Sequence, residues 1–310
     1  MATLNVAIIG YGKIAEDQHV PAIRATPGLK LAAVVSARGA GPAGVPVFGT
    51  VAALLASGLA IDACAHCNTP TARFETALET IAAGKHILLE KPPAATLAQC
   101  AEIERAAAAS GVSLMTTWHS QANMAVERAR EWLSDKQLTS ILVDWREDVR
   151  KWHPGQEWIW APGGFGVFDP GINGLSILTR ILPFAPYATA SRLWVPANRA
   201  MPIAASLTMG GAGFRGAFDV QFDWRETAAE RWQIAVESDA GTLLLAAGGR
   251  SLALNGDVVV AHGDHEYSSL YASFAALVAA RQSYFHIAPL QIVADAFLLG
   301  TRETVPPFET

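Results

Sequence analysis

Charge is scarce in this chain. Asp, Glu, Lys and Arg make up 16% of its 310 residues, and the formal net charge is −5. No block of Lys or Arg gives the electrostatic footprint of a nucleic-acid binder. Cysteine is scarcer still: three residues, an odd and small number, exclude a disulfide framework. No apolar run reaches the roughly 20 residues that a membrane-spanning helix requires. The N-terminus passes from Met1-Ala2-Thr3 directly into Leu4-Asn5-Val6-Ala7-Ile8-Ile9, without the basic segment, apolar core and cleavage site of a secretory signal. Internal repeats and low-complexity linkers are missing too. The expectation is a cytoplasmic protein that engages neither nucleic acid nor membrane.

What is plentiful is apolar side chain, at 51%. At this length it suffices for a large core shared by two domains of ordinary size. Strand patterns fall at Leu4–Ile9, Leu29–Val35, Ile61–His66, His86–Leu89 and Val112–Thr117. Helical patterns lie between them at 14–26, 51–57, 71–83 and 97–109, with Thr50 and Thr96 as N-caps and Gly84 as a C-terminal stop. Near-continuous apolar strands alternating with helices predict a doubly wound parallel sheet over residues 1–120.

Beyond it, a helix over 121–133 leads into β-rich segments at 141–146, 204–209, 214–224, 232–236 and 242–245. Helices are predicted over 171–182, 270–281 and 289–299. Residues 121–310 therefore read as an α+β domain with an open, largely antiparallel sheet. One face of that sheet is free to pack on something, so a homo-oligomer formed through it is an open alternative.

Cys64-Ala65-His66-Cys67 has a two-residue cysteine spacing, but it lies in a predicted buried strand. Alternation sends positions 64 and 67 to opposite faces, and no second pair completes a zinc site. No metal is expected. His66 reads as a strand-end residue with a place beside the cofactor cleft as the alternative. His262 and His265, in a polar turn, carry no assignment.

Gly10-x-Gly12-x-x-Ala15 follows the first strand and opens a helix, which is the setting of the dinucleotide-binding fingerprint. The first glycine permits the turn, the second lets backbone approach a pyrophosphate, and the helix N-terminus favours its charge. The second strand ends Val35-Ser36-Ala37-Arg38, without the acidic residue that usually accepts from the adenosine ribose hydroxyls. Ser36 and Arg38 suit a 2′-phosphate instead. The expected cofactor is NADP, with NAD also accepted. Its contacts are assigned to Gly10, Gly12, Lys13, Ile14, Ser36, Arg38, Asn68, Glu90 and Lys91.

Glu90-Lys91-Pro92 closes another strand at the carboxyl edge of the same predicted sheet, where the nicotinamide end would reach. With the glycine turn, Asn68-Thr69-Pro70 and Gly163-Gly164-x-x-x-x-Asp169-x-Gly171-x-Asn173, it resembles the glucose–fructose oxidoreductase and inositol dehydrogenase family. Trp118-His119-Ser120, Glu147-Asp148-Val149-Arg150, Trp152-His153-Pro154-Gly155 and Asp169-Pro170-Gly171-Ile172-Asn173 are similar to its bacterial L-arabinose/D-galactose 1-dehydrogenase group. The resemblance implies a Rossmann domain, a sugar pocket on the sheet of the second domain, and oxidation of an aldopyranose at C1 to its lactone.

The same residues make chemical sense for that reaction. Lys91 would stabilise negative charge developing on the substrate oxygen or, unprotonated, take its proton. Asp169 and Asn173 are four residues apart at the start of a helix and share one face. Much of the wider family has a proton-accepting histidine where Asn173 stands, so Lys91 and Asp169 are the catalytic candidates. Asp169 as a mere helix cap is the plain alternative. Asn173, His119, Glu147, Trp152, His153 and Trp232 are assigned to the sugar, the polar groups on hydroxyls and the indoles on the ring's C–H face. Amine and carboxylate are expected to converge on the anomeric carbon. The rival readings are another sugar or polyol dehydrogenase, and a catalytically silent NAD(P)-binding sugar sensor.

Overall fold

The computed structural model describes residues 3–261 and 266–309, so His262 and His265 lie outside the described residues. The chain forms two compact units: Met1–Trp118 with His265–Ile287, and His119–Asp264 with Ala288–Thr310. A single cut at residue 120 therefore does not describe it, because residues 265–287 return to the first unit. The reason lies in that segment's side chains. Helix Glu266–Ala280 buries Tyr267, Leu270, Tyr271 and Phe274, and Tyr284 N–H donates to Leu114 O beside the last strand of the first unit.

The first unit is a six-stranded parallel sheet in the order β3-β2-β1-β4-β5-β6. Its strands are β1 Leu4–Ile9, β2 Leu29–Val35, β3 Val47–Phe48, β4 Ala63–His66, β5 His86–Glu90 and β6 Leu114–Thr117. This order is the doubly wound one, and it reverses between β1 and β4, where open α/β sheets bind ligands. Thr50 and Thr96 cap their helices by accepting from the N–H groups of Ala53 and Gln99. The first helix departs from expectation. Residues Ala15–His19 are π-helical before the α-helical Val20–Ala25. Pro21 has no N–H to return to the preceding turn, so the ladder cannot run unbroken through it.

The second unit is built on a nine-stranded sheet, order β14-β13-β12-β11-β7-β10-β9-β8-β15. The strands are β7 Leu138–Arg146, β8 Pro186–Pro196, β9 Ala204–Gly211, β10 Ala217–Asp223, β11 Arg231–Ser238, β12 Gly241–Ala246, β13 Ser251–Leu254, β14 Asp257–Ala261 and β15 Gly300–Val305. Most pairs are antiparallel; β7 with β10 and β8 with β15 are parallel. Four of these, β8 and β13 to β15, carry no strand pattern clear enough to read in the sequence.

Along β7 the side chains alternate, with Ile141, Val143 and Trp145 buried and Leu142 exposed. Helix Phe168–Ile181 covers the buried side. Its Gly171 makes this possible, since a Cβ there would stand 2.9 Å from the Phe222 ring on β10. On the other face Leu142 and Leu244 remain exposed. Among the described residues no helix is long and apolar enough to cross a membrane.

Candidate active site

In the first unit, Gly10 after β1 and Asn68 after β4 meet where the sheet order reverses. Gly10 ends β1 at φ +90°, and a Cβ there would lie 2.6–2.8 Å from the backbone and Cβ of Asn68. Only glycine fits this turn. A Cβ at Gly12 would instead meet open space, the room a pyrophosphate needs over the helix N-terminus. Lys13 and Ile14 follow, both exposed, with Lys13 ion-paired to Asp17.

Asn68 donates to Ala72 O and Thr76 Oγ1, while its buried Oδ1 has no hydrogen-bond partner among the described residues. Ser36 is buried at the end of β2, and the Arg38 guanidinium reaches across to Tyr11 O at 3.2 Å, beside the glycine turn. The set fits a dinucleotide: a turn only glycine can make, open space over a helix start, and a guanidinium beside it.

His66 does not line this cleft. It is fully buried, bonded to Thr76 and Thr80 of helix Pro70–Ala82. Burial, with the nearby Arg73 charge, lowers its pKa to about 3, so it is neutral. Cys64 is buried and free, its thiol pushed up to about 12 by burial. Among the described residues no group of three or more His, Cys, Asp or Glu could hold a metal.

Lys91 follows β5 and is half-buried. Glu90, assigned to the cofactor, instead turns its carboxylate into the unit. Oε1 pairs with His19 Nε2 at 2.9 Å and accepts from Tyr267 at 2.8 Å, and Oε2 accepts from the Lys91 N–H at 3.0 Å. His19 Nδ1 meets the Tyr271 hydroxyl at 2.7 Å. Burial alone would lower the His19 pKa; the Cys67 sulfur and the Glu90 carboxylate overcome this and raise it to about 10. His19 is an imidazolium donating from both nitrogens. Arg73, also buried, donates to the carbonyls of Asn68, Glu90 and Pro92.

In the second unit, the sheet itself builds the site. Strand β7 ends at Arg146, so Glu147 emerges from it. The parallel β10 ends beside it and brings Trp224; the antiparallel β11 begins beside it and brings Trp232. Both indoles donate to the buried Glu147 carboxylate, Trp224 to Oε1 at 3.2 Å and Trp232 to Oε2 at 2.9 Å.

Asp148 then caps the short helix Val149–Trp152 by accepting from Arg150 N–H. That turn delivers His153, whose Nε2 stands 3.6 Å from Glu147 Oε1 and whose Nδ1 stands 3.8 Å from Asp169 Oδ2. The imidazole thus lies between two buried carboxylates, with Trp224 against its ring at 5.3 Å. Trp152 is exposed, tilted against Trp232 at 5.2 Å, and its N–H donates to Glu230.

Asp169 sits in the first turn of helix Phe168–Ile181, one turn before Asn173, and the cap position of that helix is Val167. His119 opens a short 3₁₀ turn, half-buried. The second unit therefore presents carboxylates and an imidazole beside indole faces, with Asn173 one helical turn from Asp169. That is the chemistry that orients a hydroxylated ring while covering its C–H surface. Glu147, His153, Asp169 and Trp232 come together in one cluster. Trp224 belongs with them and has no marker in the sequence beyond its place at a strand end. His19 and Tyr267, on which Glu90 depends, were likewise beyond local pattern.

Comparison with known proteins places these features among oxidoreductases. Residues 4–117 match the family described as an oxidoreductase family with an NAD-binding Rossmann fold. Galactose 1-dehydrogenase of Pseudomonas fluorescens is 42% identical over 99% of this chain and 99% of its own. The crystal structure of D-galactose-1-dehydrogenase from Rhizobium etli superposes with a TM-score of 0.95 at 44% identity, covering 100% of this chain and 99% of the other. KijD10, a 3-ketoreductase from Actinomadura kijaniata solved with TDP-benzene and NADP, shares the fold at a TM-score of 0.83 and 17% identity, over 98% and 100% of the two chains.

Proposed function

The chain belongs to the oxidoreductase family with an NAD-binding Rossmann fold, and within it we propose an NAD(P)-dependent aldose 1-dehydrogenase. It oxidises an aldopyranose, D-galactose, L-arabinose or both, at C1 to the lactone. The observation that carries the reading is the Glu147 carboxylate, gripped by two indoles next to His153 and Asp169, in a chain 42% identical end to end to a galactose 1-dehydrogenase. The two sugars share their configuration from C1 to C4 and differ at C5, so a pocket reading the shared hydroxyls accepts either.

A bound oxidised nicotinamide supplies the hydride acceptor. Gly10, Gly12, Lys13, Ile14 and Asn68 hold the dinucleotide, and Ser36 with Arg38 takes the 2′-phosphate of NADP; NAD is also accepted. As the C1–H bond breaks with its electron pair, the C1 hydroxyl gives up its proton and C1 becomes a carbonyl carbon. Lys91 stabilises charge on that oxygen, and Lys91 or Asp169 receives the proton. Asn173, His119, Glu147 and His153 bind ring hydroxyls, with Trp152 and Trp232 as the apolar wall. Dinucleotide binding is the work of the first unit, and sugar binding chiefly that of the second. A cytoplasmic setting belongs to this reading, and the open sheet face offers a route to a homo-oligomer.

The test is a panel of pentoses, hexoses and inositols with NAD and with NADP, following reduced nicotinamide by its absorbance. Oxidation of galactose and arabinose but not glucose supports the reading. Activity confined to inositols overturns the substrate. Cofactor binding with no turnover on any sugar overturns the enzyme in favour of a sensor.

A further inference from the structure

We propose that His19, Glu90 and Tyr267 form a buried brace that sets the position of Lys91, and that His19 is thereby a positioning residue for the dehydrogenase reaction. The inference rests on the reading that Lys91 acts at the reacting oxygen.

The backbone on both sides of Lys91 is held by buried charge. Its own N–H is bound by Glu90 Oε2 at 3.0 Å. The carbonyls before and after it, of Glu90 and Pro92, are both bound by Arg73, a side chain 2% exposed. The Glu90 side chain is fixed in turn by His19 at 2.9 Å and Tyr267 at 2.8 Å, and His19 by Tyr271 at 2.7 Å. The side chains of Arg73, Glu90, His19, Tyr267 and Tyr271 are all buried. The backbone from which the Lys91 side chain extends is therefore a fixed origin.

A buried ion pair adds little stability over apolar packing of the same volume, and its best-attested use is to specify one arrangement. Here the arrangement is specified from the phosphate end of the site. His19 lies in the π-helical segment that begins three residues after Gly12, and π turns gather at functional positions. The segment expected to meet the pyrophosphate and the residue expected to meet the substrate are therefore registered to one another through the His19–Glu90 contact. Neither His19 nor Tyr267 is exposed to a ligand: they are 0% and 5% accessible. Their effect must pass through Glu90.

The test compares wild type with His19→Gln, Glu90→Gln, Tyr267→Phe and Lys91→Met. Steady-state kinetics are measured with galactose and NADP. In parallel, the lysines are reductively dimethylated with ¹³C-formaldehyde; the chain has six lysines, and the Lys91 resonance is assigned by its loss in Lys91→Met. The brace predicts that His19→Gln and Glu90→Gln lower kcat by about 10- to 100-fold, the scale of a 1 Å misplacement. KM for NADP stays within about threefold, which marks an interaction lost in the transition state rather than in binding. The Lys91 resonance moves in both variants, and Tyr267→Phe gives a smaller effect of the same kind. Tyr267→Phe removes one hydroxyl only, so it serves should the others fail to fold.

Unchanged kcat per folded molecule, with the Lys91 resonance superimposed on wild type, overturns the brace. Failure of the underlying reading looks different: wild type oxidises no sugar, or Lys91→Met turns over normally. The resonance still decides whether the brace sets the lysine in either case.

Discussion

The Trp232 indole donates to Glu147 Oε2 at 2.9 Å, and this fixes a buried carboxylate as an acceptor with lone pairs still available. Trp224 holds the other oxygen. Glu147→Gln keeps the shape, removes the charge and sets an amide against two indole donors. A hydrogen bond to a charged group contributes about 1.5–3 kcal/mol, so KM for the sugar should rise about tenfold or more. KM for NADP should stay put. A sugar KM equal to wild type would remove Glu147 from the binding set.

Asp169→Asn preserves volume and hydrogen bonding but cannot take a proton. We expect kcat to fall about 100-fold or more, the range of a lost general base, with NADPH affinity by fluorescence unaltered. An unchanged kcat would end the nomination of Asp169.

Arg38 lies beside the glycine turn with its guanidinium on Tyr11 O. Arg38→Ala should lower the NADP-to-NAD ratio of kcat/KM by about 10- to 100-fold, the worth of a charge-assisted contact to phosphate. The NAD value alone should change little. A ratio indistinguishable from wild type would refute the phosphate assignment.

Two buried histidines give stability opposite slopes with pH. His19 is raised to about 10, above its ordinary value near 6.5. Its contribution is complete below about pH 6.5 and is lost as pH rises through about 10. His66 is lowered to about 3. The unfolded chain takes up that proton first, so stability falls as pH drops below about 6.5. Urea midpoints measured across pH should show His19→Gln flattening the alkaline limb and His66→Gln the acid limb. Parallel profiles for His19→Gln and wild type above pH 7 would contradict the His19 assignment.

The sequence exposes those parts of the protein that local chemistry specifies. Strands β1 and β2, the glycine turn and the capping threonines follow from runs of a few residues. So does the placing of Lys91 at a strand end, as do Asp169 and Asn173 on one helical face. What stayed hidden depends on pairing between distant segments. Trp224 reaches Glu147 across 77 positions because β10 lies parallel beside β7. Tyr267 reaches Glu90 across 177 and Tyr271 reaches His19 across 252. No periodicity announces such partners. Glu90 was legible as part of the site, but the inward turn of its carboxylate was not. Its partners had first to be found.

The return of residues 265–287 to the first unit sets the order in which the protein can be assembled. A ribosome that has released residues 1–118 has made every strand of the parallel sheet, yet the hydroxyls of Tyr267 and Tyr271 are still unsynthesised. Until nearly the whole polypeptide has emerged, an imidazolium and a carboxylate sit in that interior short of their last donors and acceptors. The same holds for anyone cutting the gene. A dinucleotide module taken from this protein for grafting must carry both stretches, joined by a linker, rather than the N-terminal third alone.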